Sequence, residues 1–287
     1  MLLAELQQKV ERTPNLPSLP VVVTKIIAAV DDPKSSVSRL NELISQEPAL
    51  AARMLRLANS AYFGRRNGMV SLPQCALVLG FNTIRSLALS ASVHRMIAGA
   101  GAKTFQPQEF WRHSLGVGVG GRVLARAVGR DSEAAMSAGL VHDLGKLVLD
   151  VVATVEYEEA LASAKERQNS ASDAEREFLG ASHGEVGGWL ATKWKLPDVI
   201  VAAITHHHSP AAADAQHQPL VHLVALADSL AHALDAGRAA ADVDATLWQA
   251  ATVPFERAAD LAVEFQKEWK QAEEVMGTPD AEVPQAA

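Results

Sequence analysis

The sequence has little of the material from which disulfides, membrane spans and basic surfaces are made. Its 287 residues include one cysteine, Cys75, which cannot form an internal disulfide. Lys and Arg number 26 against 33 Asp and Glu, and the net charge of −7 argues against non-specific binding to nucleic acid or anionic membranes. No run approaches the ~20 apolar residues of a membrane span, and Glu5 and Lys9 interrupt any signal-peptide core. These absences predict a cytoplasmic protein without a membrane partner.

Alternating β-branched runs are also absent, whereas alanine is frequent and apolar residues recur at three- and four-residue spacing. This periodicity predicts an all-α fold. A length of 287 residues suggests about two domains at ~150 residues each, or one large domain. We therefore divide the chain into an N-terminal helical lobe (1–102), a second helical lobe (103–235) and a C-terminal helical extension (236–287). The last residues, 277–287, have too little apolar content to order themselves.

The ten histidines are distributed unevenly. His94 is the only one before residue 110, and the other nine lie between His113 and His232. A single histidine on an apolar helix face is more often a core residue that is hydrogen-bonded to a carbonyl, and His113 alone fits that interpretation. The clustering suggests that the second lobe carries the chemistry of this protein.

Asp228 is harder to interpret as an ordinary core residue. It shares a predicted helix face with Val221 and Val224, and an ionised carboxylate on an inward face costs several kcal/mol unless it is paired or binds a metal. Arg122 or Arg126 from another helix is the alternative partner. The sequence alone leaves a metal and an ion pair both open.

Seven side chains together form a stronger pattern than any one of them. Each lies on a predicted helix or at its end, and most point in the same direction as the apolar face of that helix. The seven residues are His113, His142, Asp143, His183, His207, His208 and Asp228. Helices that project imidazoles and carboxylates into a shared core build metal sites. Mixed N and O ligands suit Fe, Mn, Zn or Ni better than Ca or Mg, and the lack of thiolates argues against a structural zinc site. The pattern predicts one or two divalent transition-metal ions.

Two capping-box patterns position part of this set. Ser172 with Glu175, and Ser182 with Glu185, have the spacing of an N-terminal capping box. The second pair predicts that His183 lies in the first turn of its helix.

The three consecutive histidines at 206–208 are ambiguous. His207 and His208 point about 100° apart on a helix, so both serve one site only if it lies between their directions or holds two ions. His206 falls on a face with other apolar residues, and periodicity only mildly favours His207 and His208 over it.

The order of these residues, with HDLGK at 142–146, resembles the HD superfamily of metal-dependent phosphohydrolases. The N-terminal lobe is similar to the HDOD domain, the HD-related output domain of bacterial signalling proteins, in LPSLP (16–20), QEPALAARMLRLANSAYFG (46–64) and SLPQCALVLGFNTIRSLAL (71–89). The resemblance covers about residues 14–235. It implies a two-lobed helical bundle with an HD-like C-terminal lobe and a role in signal transduction, commonly without demonstrated catalysis.

The HD pattern, carried onto this sequence, implies two metal positions. One ion would be held by His113, His142, Asp143 and Asp228. The second would be held by His183, His207 and His208, with Asp143 bridging. The family's HHxP motif falls on 207–210, which selects His207 and His208 over His206. Lys146 matches the lysine of the HD-G-K motif and would contact a phosphate or a bridging hydroxide.

The chain departs from the family pattern in two ways. HDOD domains are usually described as having lost part of the HD ligand set, whereas every position here carries a competent ligand. The residues after Pro210 do not match the extended GYP motif of the HD-GYP cyclic-di-GMP phosphodiesterases, which counts against that activity.

Two functions follow as hypotheses. The first is a stand-alone, non-catalytic signalling module that binds a signalling protein or a nucleotide, because no receiver, cyclase or other signalling domain is recognisable in the sequence. Its surface would comprise Arg53, Met54, Arg56, Leu57, Tyr62, Phe63, Arg65 and Arg66, although ordinary core residues and a solvated arginine face explain them equally well. The second is a metal-dependent phosphohydrolase acting on a nucleotide or cyclic dinucleotide, with Asp143 and Lys146 as catalytic residues. Nucleic-acid binding through the arginines near 53–66 is disfavoured by the net charge.

Overall fold

The computed structural model describes residues 3–13, 19–59, 71–99 and 103–276, and these residues contain helices and connecting turns but no strand. In chain order the α-helices are α1 (Leu3–Arg12), α2 (Val21–Asp31), α3 (Val37–Ser45), α4 (Pro48–Ala58), α5 (Leu72–Leu79), α6 (Phe81–Gly99), α7 (Pro107–Ala127), α8 (Ser132–Val141), α9 (Leu144–Val152), α10 (Thr154–Arg167), α11 (Ala171–Leu179), α12 (His183–Lys193), α13 (Asp198–His206), α14 (Gln218–Asp235), α15 (Ala245–Ala250) and α16 (Ala258–Met276). The prediction of an all-α protein is confirmed.

The N-terminal helices bury the apolar faces that their sequences predict. Pro48 occupies the first turn of α4, where a missing N–H is tolerated, and Leu50, Met54 and Leu57 of that helix are buried. Met54 and Leu57 are therefore core residues rather than parts of an exposed surface. Tyr62, Phe63, Arg65 and Arg66, which were assigned to the same surface, lie outside the described residues.

Helix α7 is the central element of the second lobe and packs against α8, α14 and α16. Gly116 makes one of these approaches possible, because a Cβ at that position would lie 2.5 Å from the ring of Trp269. The same helix carries His113 near its N-terminal end, so the packing of α7 fixes one wall of the candidate site.

Helix α16, in the C-terminal extension, joins the two lobes. It packs on α7 and also reaches α4, and one continuous cluster of buried apolar side chains runs from Leu6 to Met276. The lobe boundaries at 102 and 235 remain predictions.

Arg122 and Arg126 of α7 turn towards α16 rather than towards Asp228. Arg122 lies 3.4 Å from Glu268, and Arg126 pairs with Glu264 at 2.8 Å and with Glu268. The alternative partners proposed for Asp228 are therefore engaged elsewhere, which leaves its charge to be balanced within the candidate site.

Within the described part of the chain, no single helix combines the length and the apolar content needed to cross a membrane. Helices α5 and α6 meet those criteria only as a pair bent by 107°. Their apolar residues Leu79, Ile84 and Leu87 are buried in the core.

Candidate metal centre

The His142–Asp143 pair lies in a turn between two helices. The sequence suggested that α8 runs into this pair, but α8 ends at Val141 and α9 begins at Leu144. Asp143 precedes α9 without capping it through its side chain. Its carboxylate is therefore available to the neighbouring imidazoles.

Gly145 brings this turn against the start of α12. A Cβ at Gly145 would lie 1.8 Å from the carbonyl oxygen of His183, so only glycine allows this approach. Ser182 and Glu185 form the predicted capping box at the same helix end, which places His183 in the first turn of α12. The glycine of HDLGK thus holds His183 beside Asp143.

One half of the centre is built from α7, α14 and the 142–143 turn. The Nε2 of His113 lies 3.1 Å from Oδ1 of Asp228, and the Nε2 of His142 lies 3.3 Å from Oδ2 of Asp143. The two pairs also lie close to each other. His142 Nε2 lies 3.8 Å from Asp228 Oδ1, and His113 Nε2 lies 3.8 Å from Asp143 Oδ2. Four predicted ligands therefore face one another.

The other half contains the remaining three histidines. His183 Nε2 and His207 Nε2 lie 3.3 Å and 3.8 Å from Oδ1 of Asp143, the second oxygen of the carboxylate that faces the first half. His208 Nε2 lies 2.9 Å from His183 Nε2. None of the ligand clusters found among the described residues includes His206, so the structure brings His207 and His208 together with the rest.

The ring orientations of His142 and His207 are fixed through Nδ1. His142 Nδ1 donates to the carbonyl of Gly139 at 2.7 Å, and His207 Nδ1 donates to that of Ile204 at 2.8 Å. Such contacts to the outer nitrogen direct Nε2 inward and fix the tautomer that a metal requires.

Glu175 is a functional candidate that the sequence analysis missed. Its Oε2 accepts from the Nδ1 of His183 at 2.6 Å and from the backbone N–H of the same residue at 2.7 Å. The predicted capping box between Ser172 and Glu175 is wrong, because α11 begins at Ala171, two residues earlier than that box requires, and Ser170 caps it. A fully buried carboxylate behind a ligating imidazole is a common support of metal sites.

The inner atoms of the centre lack the partners that buried polar atoms normally have. Among the described residues, four buried ligand atoms lie 3.1–3.3 Å from another member of the centre but without the angles of a hydrogen bond: His113 Nε2, His142 Nε2, Asp143 Oδ1 and Asp228 Oδ1. The Nδ1 atoms of His183 and His207 both face oxygen acceptors, and their Nε2 atoms face each other across 3.3 Å. A cation between them satisfies these atoms, so the residues fit a metal.

The charge states in the second half suit metal binding. Burial, followed by the neighbouring His208, lowers the pKa of His207 well below its ordinary value, and burial with His183 lowers the pKa of His208 to about 4. Burial opposes ionisation of Asp143, but His142 and Lys146 hold the pKa of this carboxyl well below its usual range. Neutral imidazoles and an ionised carboxylate are the ligand forms that a metal needs.

His142 and Lys146 behave differently. Burial alone would lower the pKa of His142, but Asp143 and Asp228 outweigh it and raise that pKa. The folded protein therefore holds the His142 proton more tightly than an exposed histidine would. A metal that binds this ring must displace that proton. Lys146 Nζ lies 2.6 Å from Oδ2 of Asp143, and 24% of the side chain is exposed, so the ammonium group contacts the centre while part of the side chain reaches solvent.

His232 is a second residue that the sequence analysis left without a role. Its Nε2 lies 3.4 Å from Oδ1 of Asp228, one helical turn earlier, and its ring stacks on His113 with centroids 4.3 Å apart. The i, i+4 spacing from Asp228 was the signal that could have identified it. With its side chain 62% exposed, His232 lies at the open side of the centre.

Replacing Glu175 with glutamine is expected to weaken metal binding by about 10–100-fold, because an amide holds the His183 ring less firmly and lowers its basicity. Competition with a chromogenic chelator measures this affinity. Glu185→Gln is the matched control, since glutamine also completes a capping box and this carboxylate does not contact His183 through Nδ1. Equal affinities of the two variants would contradict the role of Glu175.

An all-helical protein with histidines and aspartates gathered at helix ends around one carboxylate belongs to the HD class. The sequence profile of the HDOD domain matches residues 16–210. This chain is a member of the HDOD family.

The chain is also similar to three individual proteins. A protein of uncharacterised function from Treponema pallidum is 29% identical over 236 residues, which are 78% of this chain and 44% of that protein. Ribonuclease Y of Listeria welshimeri is 32% identical over 136 residues, or 47% of this chain and 20% of the enzyme. The crystal structure of a candidate phosphohydrolase from Shewanella amazonensis superposes with a TM-score of 0.77 at 24% identity, covering 96% of this chain and 98% of that one. The chain spans less than half the length of the two curated relatives, and the structural likeness concerns the fold.

Proposed function

We propose that this protein is a metal-binding regulatory module of the HDOD family, which signals through a protein or nucleotide ligand. The observation that supports metal binding is the convergence of the seven predicted ligands on one centre around Asp143, with four buried ligand atoms lacking a hydrogen bond. The regulatory role is supported by family membership and by the continuous core that joins the metal lobe to the N-terminal helices.

In this proposal the two oxygens of Asp143 serve two metal positions. Oδ2 faces His113 and His142, whereas Oδ1 faces His183 and His207. Asp228 completes the first position and His208 the second. Nitrogen and oxygen ligands of this kind suit Fe, Mn, Zn or Ni.

Removing the metal is expected to lower the thermal stability of the protein. Binding at 100 to 1,000 times the dissociation constant stabilises by about 3–4 kcal/mol, which corresponds to roughly 5–15 °C in the melting temperature of a chain of this size. Protein purified without chelators should contain one to two equivalents of metal by elemental analysis, and its melting temperature should fall on treatment with chelator. A metal ratio near zero together with an unchanged melting temperature would overturn the proposal.

A metal-dependent phosphohydrolase is the second candidate, and Lys146 favours it. Its ammonium group contacts Asp143, and its side chain is partly exposed, as are those of His113 and His232. A bound metal would supply an activated water and polarise a phosphoryl oxygen. The Lys146 ammonium would hold a substrate phosphate at the open side and stabilise negative charge there.

Hydrolysis assays separate the two candidates. The metal-loaded protein is tested with Fe and with Mn against nucleotides, cyclic dinucleotides and, because one relative is a ribonuclease, RNA oligonucleotides. Turnover that disappears in the Lys146→Met variant, with its metal content retained, supports the phosphohydrolase. Absence of turnover over the whole panel excludes it and leaves the regulatory module.

A further inference from the structure

A second cavity lies in the N-terminal half of the protein, between α2, α4 and α6. It has a volume of about 30 Å³ and shares no residue with the metal centre. Its lining combines three apolar residues with two guanidinium groups and one carboxylate: Val23, Leu50, Ala91, Arg53, Arg95 and Glu47.

Arg53 is the unusual member of this lining. Its Nη1 is buried and has no hydrogen-bond partner, although a guanidinium carries five donors that normally find acceptors. The carboxylate of the cavity does not supply one, because Glu47 pairs with Arg95 at 3.0 Å. Arg53 is therefore a half-buried cation whose inward donor lacks an acceptor within the described part of the chain.

The surroundings of Arg53 add positive charge. Arg56 follows one turn later on α4, and Arg95 lies across the cavity on α6. Burial first, and then the charges of Arg56 and Arg95, lower the pKa of Arg53 to about 10. The lining contains one carboxylate, that of Glu47, against the two guanidinium groups of Arg53 and Arg95. The cavity is therefore locally positive, although the net charge of the chain is −7.

We propose that this cavity binds a phosphate group, with Arg53 as the anchoring residue and Arg95 as the second cation. Guanidinium groups match phosphate oxygens with paired, charge-assisted hydrogen bonds. The cavity is far smaller than the about 300–1,000 Å³ of sites for drug-sized ligands and has room for only a few water-sized atoms, which suits inorganic phosphate or the phosphate end of an ester whose organic part stays in solvent. This site is independent of the function proposed for the metal centre.

Titration of the full-length, chelator-treated protein with inorganic phosphate tests the proposal, with affinity measured by calorimetry and by the shift in melting temperature. Arg53→Met should reduce phosphate affinity about tenfold or more, since charged hydrogen bonds are lost. Arg39→Met is the matched control, because Arg39 is exposed and paired with Glu42. Lys146→Met, which removes the cation of the metal centre, should leave the affinity unchanged.

The phosphate-free proteins give a second measurement. Arg53→Met should melt no lower than the wild type, because the substitution removes a buried charge that has no partner. If this variant does not fold, Arg53→Lys keeps the charge but loses the fork geometry and should still bind phosphate more weakly than the wild type. Adenosine monophosphate distinguishes the source of the phosphate, since tighter binding than inorganic phosphate indicates an ester and equal binding indicates the free ion.

Four results would overturn the proposal. The wild type could fail to respond to millimolar phosphate, or Arg53→Met could respond as the wild type does. Loss of the response in Lys146→Met would instead place the phosphate at the metal centre. Acetate that matches phosphate at equal ionic strength would make the ligand a carboxylate.

Discussion

Replacing Asp143 with asparagine is expected to abolish metal binding at both positions. The two carboxylate oxygens of Asp143 face the two halves of the centre, and an amide offers one neutral oxygen in place of two charged ones. The affinity loss should exceed the ~10–100-fold loss that follows removal of an outer-shell partner. Elemental analysis of the purified variant measures it, and any hydrolysis that the wild type shows should disappear with the metal.

The same substitution also removes the ion-pair partner of Lys146. Asp143 has a side chain only 3% exposed, and its loss leaves the Lys146 ammonium beside a neutral group. Breaking a buried pair usually costs about 3–5 kcal/mol. We expect about 3 kcal/mol here, because the Lys146 side chain is partly exposed. The metal-free variant should therefore be less stable to urea than the metal-free wild type.

Asp150→Asn is the matched control for Asp143. Asp150 is also buried, two turns further along α9, and its carboxylate accepts from the backbone N–H groups of Lys103 and Thr104. Its substitution should destabilise the protein and leave the metal content unchanged. If Asp150→Asn lost metal to the same extent as Asp143→Asn, the metal loss would reflect unfolding, and the ligand role of Asp143 would be contradicted.

Local sequence predicted the helices well because their signals are local. Proline at the start of α4, the Ser182–Glu185 capping box and the apolar spacing of α14 each act within one or two turns. The start of α11 was misplaced, since Ser170 and Ser172 are both good capping residues and only the packed structure selects between them. Glu175 was consequently assigned to a cap instead of to His183.

The candidate site required information that single helices do not carry. The sequence leaves both an ion pair and a metal open for Asp228, and the choice depends on α16, which engages Arg122 and Arg126 from a distance of more than 130 residues along the chain. The family resemblance supplied the order of the ligands, and the structure places those seven residues together. Glu175 and His232 became visible only through contacts between elements.

Replacing Gly145 with alanine is expected to prevent normal folding. The added Cβ would lie 1.8 Å from the carbonyl oxygen of His183, 2.6 Å from its carbon and 2.7 Å from the backbone nitrogen of Gly187. All three are backbone atoms, so no side-chain rotation relieves the overlap, and α9 must separate from α12. The loss should exceed the ~1–3 kcal/mol of ordinary overpacking and be comparable to much of the ~5–15 kcal/mol that stabilises a domain.

Gly237→Ala separates this steric effect from the general effect of adding a methyl group to glycine. Gly237 has a φ of +70° with no atom within 4 Å of an added Cβ, so alanine there should cost only about 1–2 kcal/mol of backbone strain. Urea denaturation and metal content are measured for both variants. Gly145→Ala should lose metal as well as stability, because separation of α9 from α12 increases the 3.3 Å distance between His183 and Asp143. A Gly145→Ala protein as stable as Gly237→Ala would show that these helices do not approach so closely, and it would contradict the role of Gly145 in placing His183 beside Asp143.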